Sequence, residues 1–297
     1  MTRSHLKDCQ AKSLSRKQEE TKYFSNVSAT WRETIFSSMR CKILLSLFVL
    51  IISESTLFAQ NKYDFSQFGH ETADFIKQPT KWDGSDWLRL GVMSGAAFLT
   101  MQVDQPIRNE VLKDRSYFYS IPIEAARMYG ELYSPVAFFV GFAAHSLITN
   151  NASSRKIAYE IGQASLYTGA ITLLLKTAIG RARPYMDEGA SSYRPFSSLL
   201  DRYHSFPGGH TATAFVISTV LSRNVHPTWL KILVYLPAVI TPISRVYQDQ
   251  HWMSDNVFGG ALGYFVAKWV ADIHERNDKQ IPSTSSTTLF NISFVIN

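Results

Sequence analysis

Cysteine is scarce in this sequence, since only Cys9 and Cys41 occur among the 297 residues. Both lie within the first 42 residues, and the rest of the chain contains no thiol. The long body of the chain therefore cannot carry a disulfide framework, a cysteine nucleophile or a zinc site with cysteine ligands.

Charge is also sparse. Charged residues make up 18% of the chain and hydrophobic residues 45%, a composition that excludes a disordered protein. The formal net charge is +6, but residues 1–42 hold nine basic and four acidic side chains, so most of the excess lies there. The remaining body is nearly neutral, and we therefore expect no nucleic-acid partner.

The apolar run at residues 43–52 is too short to cross a bilayer comfortably. It follows a short basic stretch that begins at Met39 and precedes small and polar residues up to Ala59. This order predicts a signal peptide at 39–59, preceded by an upstream extension at 1–38, and export to the bacterial cell envelope. The alternative is a cytoplasmic leader followed by an uncleaved anchor.

Residues 60–87 form a polar arm that we expect to be irregular or partly helical. Beyond it, the apolar segments have the length of helices and do not alternate. They predict an all-α, six-helix bundle within 88–273, with helices at about 88–102, 133–149, 156–180, 211–223, 229–246 and 255–273. Pro237 and Pro242 are expected to kink the fifth helix. The tail at 274–297 alternates near its end and could form a short strand.

Most of these segments contain a charged or polar interruption, and the mean hydropathy is only −0.07. Membrane-spanning helices and a soluble periplasmic bundle are therefore both open at this point.

Three clusters in the second half carry chemical information. In the first, Lys176 and Arg183 are seven residues apart at the end of a predicted helix, so we expect both cations on nearly the same face. The alternative is a pair of ordinary basic residues that interact with the helix dipole and solvent.

The second cluster is Ser205-Phe-Pro-Gly-Gly-His-Thr211, directly before an apolar helical run. A Pro-Gly-Gly turn at a helix N-terminus presents backbone amides to an anion, with His210 beside it. The alternative is a flexible loop capped by Thr211.

The third cluster contains Ser244, Arg245, His251 and Asp255. The spacing of four residues would allow Asp255 to bond one imidazole nitrogen of His251 and leave the other nitrogen as a nucleophile. Alone, such a pair is usually a surface ion pair or a helix cap.

Together the clusters read Lys-x6-Arg-Pro, Pro-Gly-Gly-His and Ser-Arg-x5-His-x3-Asp, in that order. This pattern resembles the three-part signature of the type 2 phosphatidic acid phosphatases, whose active site is shared with vanadium haloperoxidases and some bacterial acid phosphatases. The resemblance covers about residues 88–273. One position departs from it, because Gly208 stands where the family usually has serine.

The resemblance implies that His251 attacks phosphorus, Asp255 holds His251, and His210 protonates the leaving alkoxide. It implies that the substrate phosphate is bound by five residues: Lys176, Arg183, Gly208, Gly209 and Arg245. No metal or other cofactor is expected. The implied substrate is a phosphomonoester or pyrophosphate, in particular of a lipid such as phosphatidate, phosphatidylglycerol phosphate or an isoprenoid pyrophosphate.

Two other functions are compatible with the same residues. One is a vanadate-dependent haloperoxidase, in which vanadate would be the cofactor. The other is a non-catalytic envelope protein that keeps the fold, which the departure at Gly208 would favour.

For the phosphatase, we expect membrane association with the active site facing the periplasm. A serine at position 208 is expected to raise activity, unless Gly208 has a positive φ that a side chain would strain.

Overall fold

The computed structural model describes residues 63–196 and 200–280, and these are mostly helical. The predicted extension at 1–38 and signal peptide at 39–59 lie outside the described residues. Ten α-helices are found in the described part of the chain: α1 (Phe65–Ile76), α2 (Gly84–Met101), α3 (Asp104–Val111), α4 (Ile121–Tyr129), α5 (Tyr133–Thr149), α6 (Ala152–Ile179), α7 (Gly209–Asn224), α8 (Thr228–Leu233), α9 (Leu236–Tyr247) and α10 (Met253–Gln280).

Each of the six predicted segments is helical, so the mostly helical class is confirmed. The number of helices differs from six. The fifth predicted helix is broken at Val234 and Tyr235 into α8 and α9. Pro237 lies in the first turn of α9, where a missing N–H costs little, so the chain restarts a helix there instead of kinking. Pro242 lies inside α9.

Two short helices, α3 and α4, were not predicted, and α1 lies in the arm that was expected to be irregular or partly helical. The described residues also contain 3₁₀ turns at Gln78–Lys81, Pro184–Met186 and Asp201–Tyr203, and no strand. The last helix continues to Gln280, beyond the predicted start of the tail at 274. The possible strand near the C-terminus lies outside the described residues.

The core of the bundle lies where α6, α7 and α10 meet. Its buried side chains come from these three helices: Ile161, Ala164 and Tyr167, then Val216 and Val220, then Leu262, Val266, Ala267 and Val270. Burial of each large apolar side chain contributes about 1.5–3 kcal/mol. The core therefore fixes α7 against α10. Candidate residue His210 lies in the first turn of α7, and His251 lies just before α10.

Helix α1, which falls within the predicted polar arm, packs on this core. Phe75 stacks on Tyr167 with ring centroids 4.3 Å apart. The buried imidazole of His274 lies between two carboxylates, 3.0 Å from Glu71 of α1 and 3.2 Å from Glu160 of α6. Apolar stacking and a buried polar cluster thus both attach α1 to the bundle.

By length and composition, one helical stretch in the described residues could cross a bilayer, namely Thr228–Tyr247. The pair Ile121–Tyr129 and Tyr133–Thr149 passes the same test only if its 69° bend is counted within a single span.

Candidate active site

The first cluster does not lie on a shared helical face. Helix α6 ends at Ile179, and Gly180 follows with a φ of 60°, the left-handed conformation that glycine adopts readily. Arg183 therefore lies in the extended segment after the helix, and the prediction based on helical spacing was wrong. Both charges nevertheless act on His251, since Arg183 and Lys176 each lower its pKa.

The loop before α7 holds both cations. Arg183 donates from Nε to the carbonyl oxygen of Asp201 at 2.9 Å and from Nη2 to the Asp201 carboxylate at 2.6 Å. The Lys176 ammonium donates to the carbonyl oxygen of His204. These bonds orient the two positive charges before any substrate binds.

Gly208 is the N-cap of α7, with a φ of −68° and no side-chain cap. Its amide donates to the carbonyl oxygen of Asp255 at 2.8 Å, which differs from the expectation that this amide would face the phosphate. The amide of Gly209 belongs to the first turn of α7, where the helix supplies no backbone acceptor. The amides of this turn that remain available to an anion therefore begin at Gly209.

Gly208 allows the loop to approach α10 closely. A Cβ at position 208 would lie 2.7 Å from Oδ1 of Asn256 and 3.0 Å from the carbonyl oxygen of Asp255. From the other side, a Cβ at Gly259 would lie 2.3 Å from the carbonyl oxygen of Gly208. The requirement for glycine is thus steric and does not come from a positive φ.

Gly208→Ser is accordingly expected to weaken the protein, in contrast to the gain expected from the family pattern. Overpacking against α10 costs about 1–3 kcal/mol, equivalent to a fall in Tm of roughly 2–12 °C. We expect kcat/KM to fall by about tenfold as the loop shifts. Gly209→Ser is the steric control for Tm, because a Cβ there meets only ordinary contacts at 3.6 Å. A higher kcat/KM with an unchanged Tm in Gly208→Ser would contradict this account.

His251 lies in the loop between α9 and α10 and is 1% exposed. Its Nδ1 is 2.8 Å from the carbonyl oxygen of Ser205. Because a carbonyl can only accept, Nδ1 must carry the proton, and Nε2 of the neutral ring retains its lone pair. Burial, and then the charges of Arg183 and Lys176, hold the pKa of His251 well below its ordinary value. A neutral, nucleophilic imidazole at pH 7 follows.

Asp255 is not hydrogen-bonded to His251, because the distance from Oδ2 to Nδ1 is 3.8 Å. Its Oδ2 accepts from the Ser205 hydroxyl at 2.5 Å and from the Trp252 amide at 2.9 Å. The expected direct bond is thus replaced by an indirect one. Asp255 fixes Ser205, and the carbonyl group of Ser205 fixes the imidazole.

Arg181 is a buried partner of Asp255 that the sequence analysis missed. Its Nη1 is 2.5 Å from Oδ1 of Asp255, and its Nη2 is 2.8 Å from Asp104 of α3. Asp104 also accepts from the amide of Ser254 at 2.9 Å. One guanidinium therefore bridges two buried carboxylates behind the loop that carries His251.

Arg245 lies at the end of α9 and is almost fully buried. Its Nη1 donates to Oε1 of Gln248 at 2.7 Å. Within the described residues, its buried Nε has no hydrogen-bond partner. An unsatisfied donor on a buried cation is costly unless an anion binds it.

Lys176 gives the same indication of an anion site. Burial, and then the charge of Arg183, lower the pKa of Lys176 to about 7. Both effects disfavour its ammonium form, and a bound phosphate would oppose them.

His210 lies in the first turn of α7, and its ring centroid is 6.2 Å from that of His251. Its Nε2 is 3.3 Å from Oε1 of Glu131, a residue between α4 and α5 that the sequence analysis did not single out. Burial lowers the pKa of His210, and Glu131 opposes that effect. The same contact with His210 lowers the pKa of Glu131 to about 2.

The site thus contains two histidines, three cations and a helix N-terminus. In the part of the chain that the structure describes, no group of three His, Cys, Asp or Glu side chains is arranged to hold a metal ion. That the reaction needs no metal stays a prediction.

The family model described as "PAP2 superfamily" matches residues 160–279. This match contains all three clusters. Residues 160–279 are therefore similar to the PAP2 superfamily. Glu131 and Asp104 lie outside the matched PAP2 region.

Proteins similar to this chain include named lipid phosphatases. The chain is 37% identical to a lipid A 1-phosphatase of Porphyromonas gingivalis over 24% of this chain and 17% of that protein. It is 31% identical to a lipid A 1-phosphatase of Rhizobium etli over 48% of this chain and 64% of that protein. The chain thus spans less than two thirds of either relative.

Among solved structures, the transmembrane PAP2 type phosphatidylglycerolphosphate phosphatase of Bacillus subtilis is similar at 19% identity and a TM-score of 0.48. That similarity covers 65% of this chain and 95% of the other.

Proposed function

We propose that this chain hydrolyses a phosphomonoester or pyrophosphate group of a lipid through a phosphohistidine at His251. The observation that carries the proposal is the environment of that imidazole. Ser205 holds Nδ1, so Nε2 is the nucleophilic atom. Lys176, Arg183 and Arg245 are all near enough to act on its charge. Such a field stabilises a trigonal-bipyramidal phosphoryl group.

In the first step, the lone pair on Nε2 of His251 attacks phosphorus in line with the leaving oxygen. The P–N bond forms as the P–O bond to the leaving group breaks, and His210 gives its proton to the departing alkoxide. Lys176, Arg183 and Arg245, with the first amides of α7, neutralise the equatorial oxygens.

In the second step, water attacks the phosphohistidine. A new P–O bond forms, the P–N bond breaks, and the electron pair of that bond returns to Nε2 of His251. His210 accepts a proton from the attacking water and is ready for the next cycle. The enzyme is regenerated and inorganic phosphate is released.

A large apolar cleft supports a lipid as the substrate. It has a volume of about 670 Å³ and is lined by α2, α7, α9 and α10, including Leu88, Val92, Met93, Phe215, Val239 and Phe265. Thr211 and Asn256 also line it, and these are the sequence neighbours of His210 and Asp255. A hydrocarbon chain in the cleft would therefore lie beside the proposed phosphate site.

Exposed apolar side chains support membrane association. Several helices present large hydrophobic residues that are at least half exposed: Leu88, Val92, Phe98 and Leu99 on α2, Val140, Leu147 and Ile148 on α5, Leu166, Leu173 and Leu174 on α6, and Ile232, Leu236, Val239 and Ile243 near α8 and α9. Apolar surface of this extent is typical of a membrane-facing or protein-binding surface. With the predicted signal peptide, we place the enzyme in the cell envelope with its active site facing the periplasm.

The direct test compares two phosphomonoesters with and without a tail. The purified full chain is assayed for phosphate release from phosphatidate in mixed micelles and from glycerol 3-phosphate, both with a chelator present. We expect kcat/KM for phosphatidate to exceed that for glycerol 3-phosphate by at least about 100-fold, because the cleft binds the tail.

Three outcomes would overturn parts of this proposal. Equal activity on both esters would contradict the lipid substrate. Halide oxidation with vanadate and peroxide, without phosphate release, would favour the haloperoxidase. Absence of both activities would favour the non-catalytic envelope protein.

A further inference from the structure

Glu131 lies in the short connection between α4 and α5, outside the matched PAP2 region. Helix α4 is fixed to the site by its backbone, because Thr241 donates to the carbonyl oxygen of Ala126 at 3.0 Å and Ser244 to that of Ile123 at 2.8 Å. The connection itself presses against His210. A Cβ at Gly130 would lie 2.6 Å from the His210 carbonyl oxygen and 2.9 Å from its Cβ. This connection is therefore a wall of the site.

The carboxylate of Glu131 is held in a network that reaches the phosphate-binding cations. Arg127 donates to Glu131 at 2.7 Å and to Glu124 at 2.8 Å. Gln248 bonds Glu124 at 2.6 Å, and Arg245 bonds Gln248 at 2.7 Å. The position of Glu131 is thus tied to that of Arg245, which would bind substrate.

His210 must carry a proton when the leaving group departs, and most of its surroundings oppose that charge. It is buried, and it is faced by Arg183 from the segment after α6 and by Arg245 from α9. The ring of His251 is also close. Glu131, with Arg127 behind it, is the acidic group in contact with the ring. A neighbouring carboxylate favours imidazolium.

The contact also selects which nitrogen does the chemistry. With Nε2 directed at Glu131 at 3.3 Å, the carboxylate favours a proton on that nitrogen. Nδ1 is then the nitrogen that gives a proton to the leaving alkoxide and later takes one from water.

We propose that Glu131 is a positioning residue for the acid His210, favouring its protonated form and directing Nδ1 to the leaving oxygen. This inference rests on the proposed phosphatase function. It adds to the PAP2 site a carboxylate from a part of the chain that the family match does not include.

The first test is the pH dependence of kcat for phosphatidate in Glu131→Gln. Removing the carboxylate lowers the pKa of His210. We therefore expect the alkaline limb of the plot of kcat against pH to move to lower pH by about one unit. With an aryl phosphate, whose leaving group needs no proton, the limb should stay in place. Glu131→Asp should largely restore the wild-type limb. The control is Glu110→Gln, an exposed glutamate paired with Lys113 on the surface. An unchanged limb in Glu131→Gln would overturn the inference.

The second test needs no turnover. The imidazole of His210 is titrated by NMR in histidine-labelled protein, and its signal is assigned by its loss in His210→Gln. We expect the pKa of His210 to be about one unit lower in Glu131→Gln than in the wild type. Identical titrations would overturn the role of Glu131 even if phosphatase activity is found. If the wild type is inactive but the titrations differ, the proposed function fails and the Glu131–His210 coupling stands.

Discussion

Replacement of His251 by alanine is expected to abolish phosphate release, with kcat lowered by at least about 10⁴-fold. The substitution removes the Nε2 atom that would form the bond to phosphorus. Activity on phosphatidate and far-UV circular dichroism are measured together, because helical content should not change.

Two further variants make the result specific. His251→Gln preserves most of the buried volume and should be equally inactive, which separates loss of the nucleophile from a cavity effect. His70→Ala removes an exposed histidine of α1 and should retain wild-type activity. Turnover near the wild-type rate in either His251 variant would refute the nucleophile assignment.

Arg181→Met is expected to cause the largest loss of stability. The guanidinium is 1% exposed and bridges Asp104 and Asp255, which would both remain buried without their counter-charge. Removing one partner from a buried ion pair costs about 3–5 kcal/mol. We expect a correspondingly large fall in Tm, and lower activity because Asp255 no longer fixes the Ser205 loop.

The matched control for Arg181 is Arg194→Met. Arg194 pairs with Glu188 at 3.3 Å, and its side chain is 53% exposed. An exposed pair of this kind contributes less than about 1 kcal/mol. A similar change in Tm for both variants would show that the Arg181 bridge has no special structural role.

The helical class could be predicted from the sequence because apolar runs of helix length that do not alternate favour helices over strands. The short helices α3 and α4 could not be predicted, since their positions depend on packing against the bundle. Helix α4 illustrates this, because hydroxyl groups of α9 bond its backbone carbonyls. The break between α8 and α9 also went unpredicted. The sequence predicted a kink at Pro237, but the helix ends before this proline and a new helix begins with Pro237 in its first turn.

The candidate site, like the fold, could be predicted only in part from the sequence. The order of the motifs predicted that His210, His251 and the three cations act together, and the charges of the other four residues do lower the pKa of His251. Predictions from residue spacing were wrong where the contacts depend on the path of the chain. Gly180 ends α6 before Arg183, and Asp255 is turned toward Arg181 and Ser205 instead of His251. Ser205 and Arg181 stood inside the quoted clusters and gave a weak signal. Glu131 and Asp104 gave none, because single acidic residues far away in the chain carry no pattern.

The phosphohistidine at His251 is the central claim, and trapping it is the most direct test. Wild-type enzyme is mixed with ³²P-phosphatidate, quenched in alkali within milliseconds, and digested for peptide mapping. The account predicts a phosphoryl group that is stable to base and labile to acid, located on the peptide that contains His251 and absent from His251→Ala. Label on another residue, or full turnover of the wild type with no labelled enzyme at any time, would contradict it.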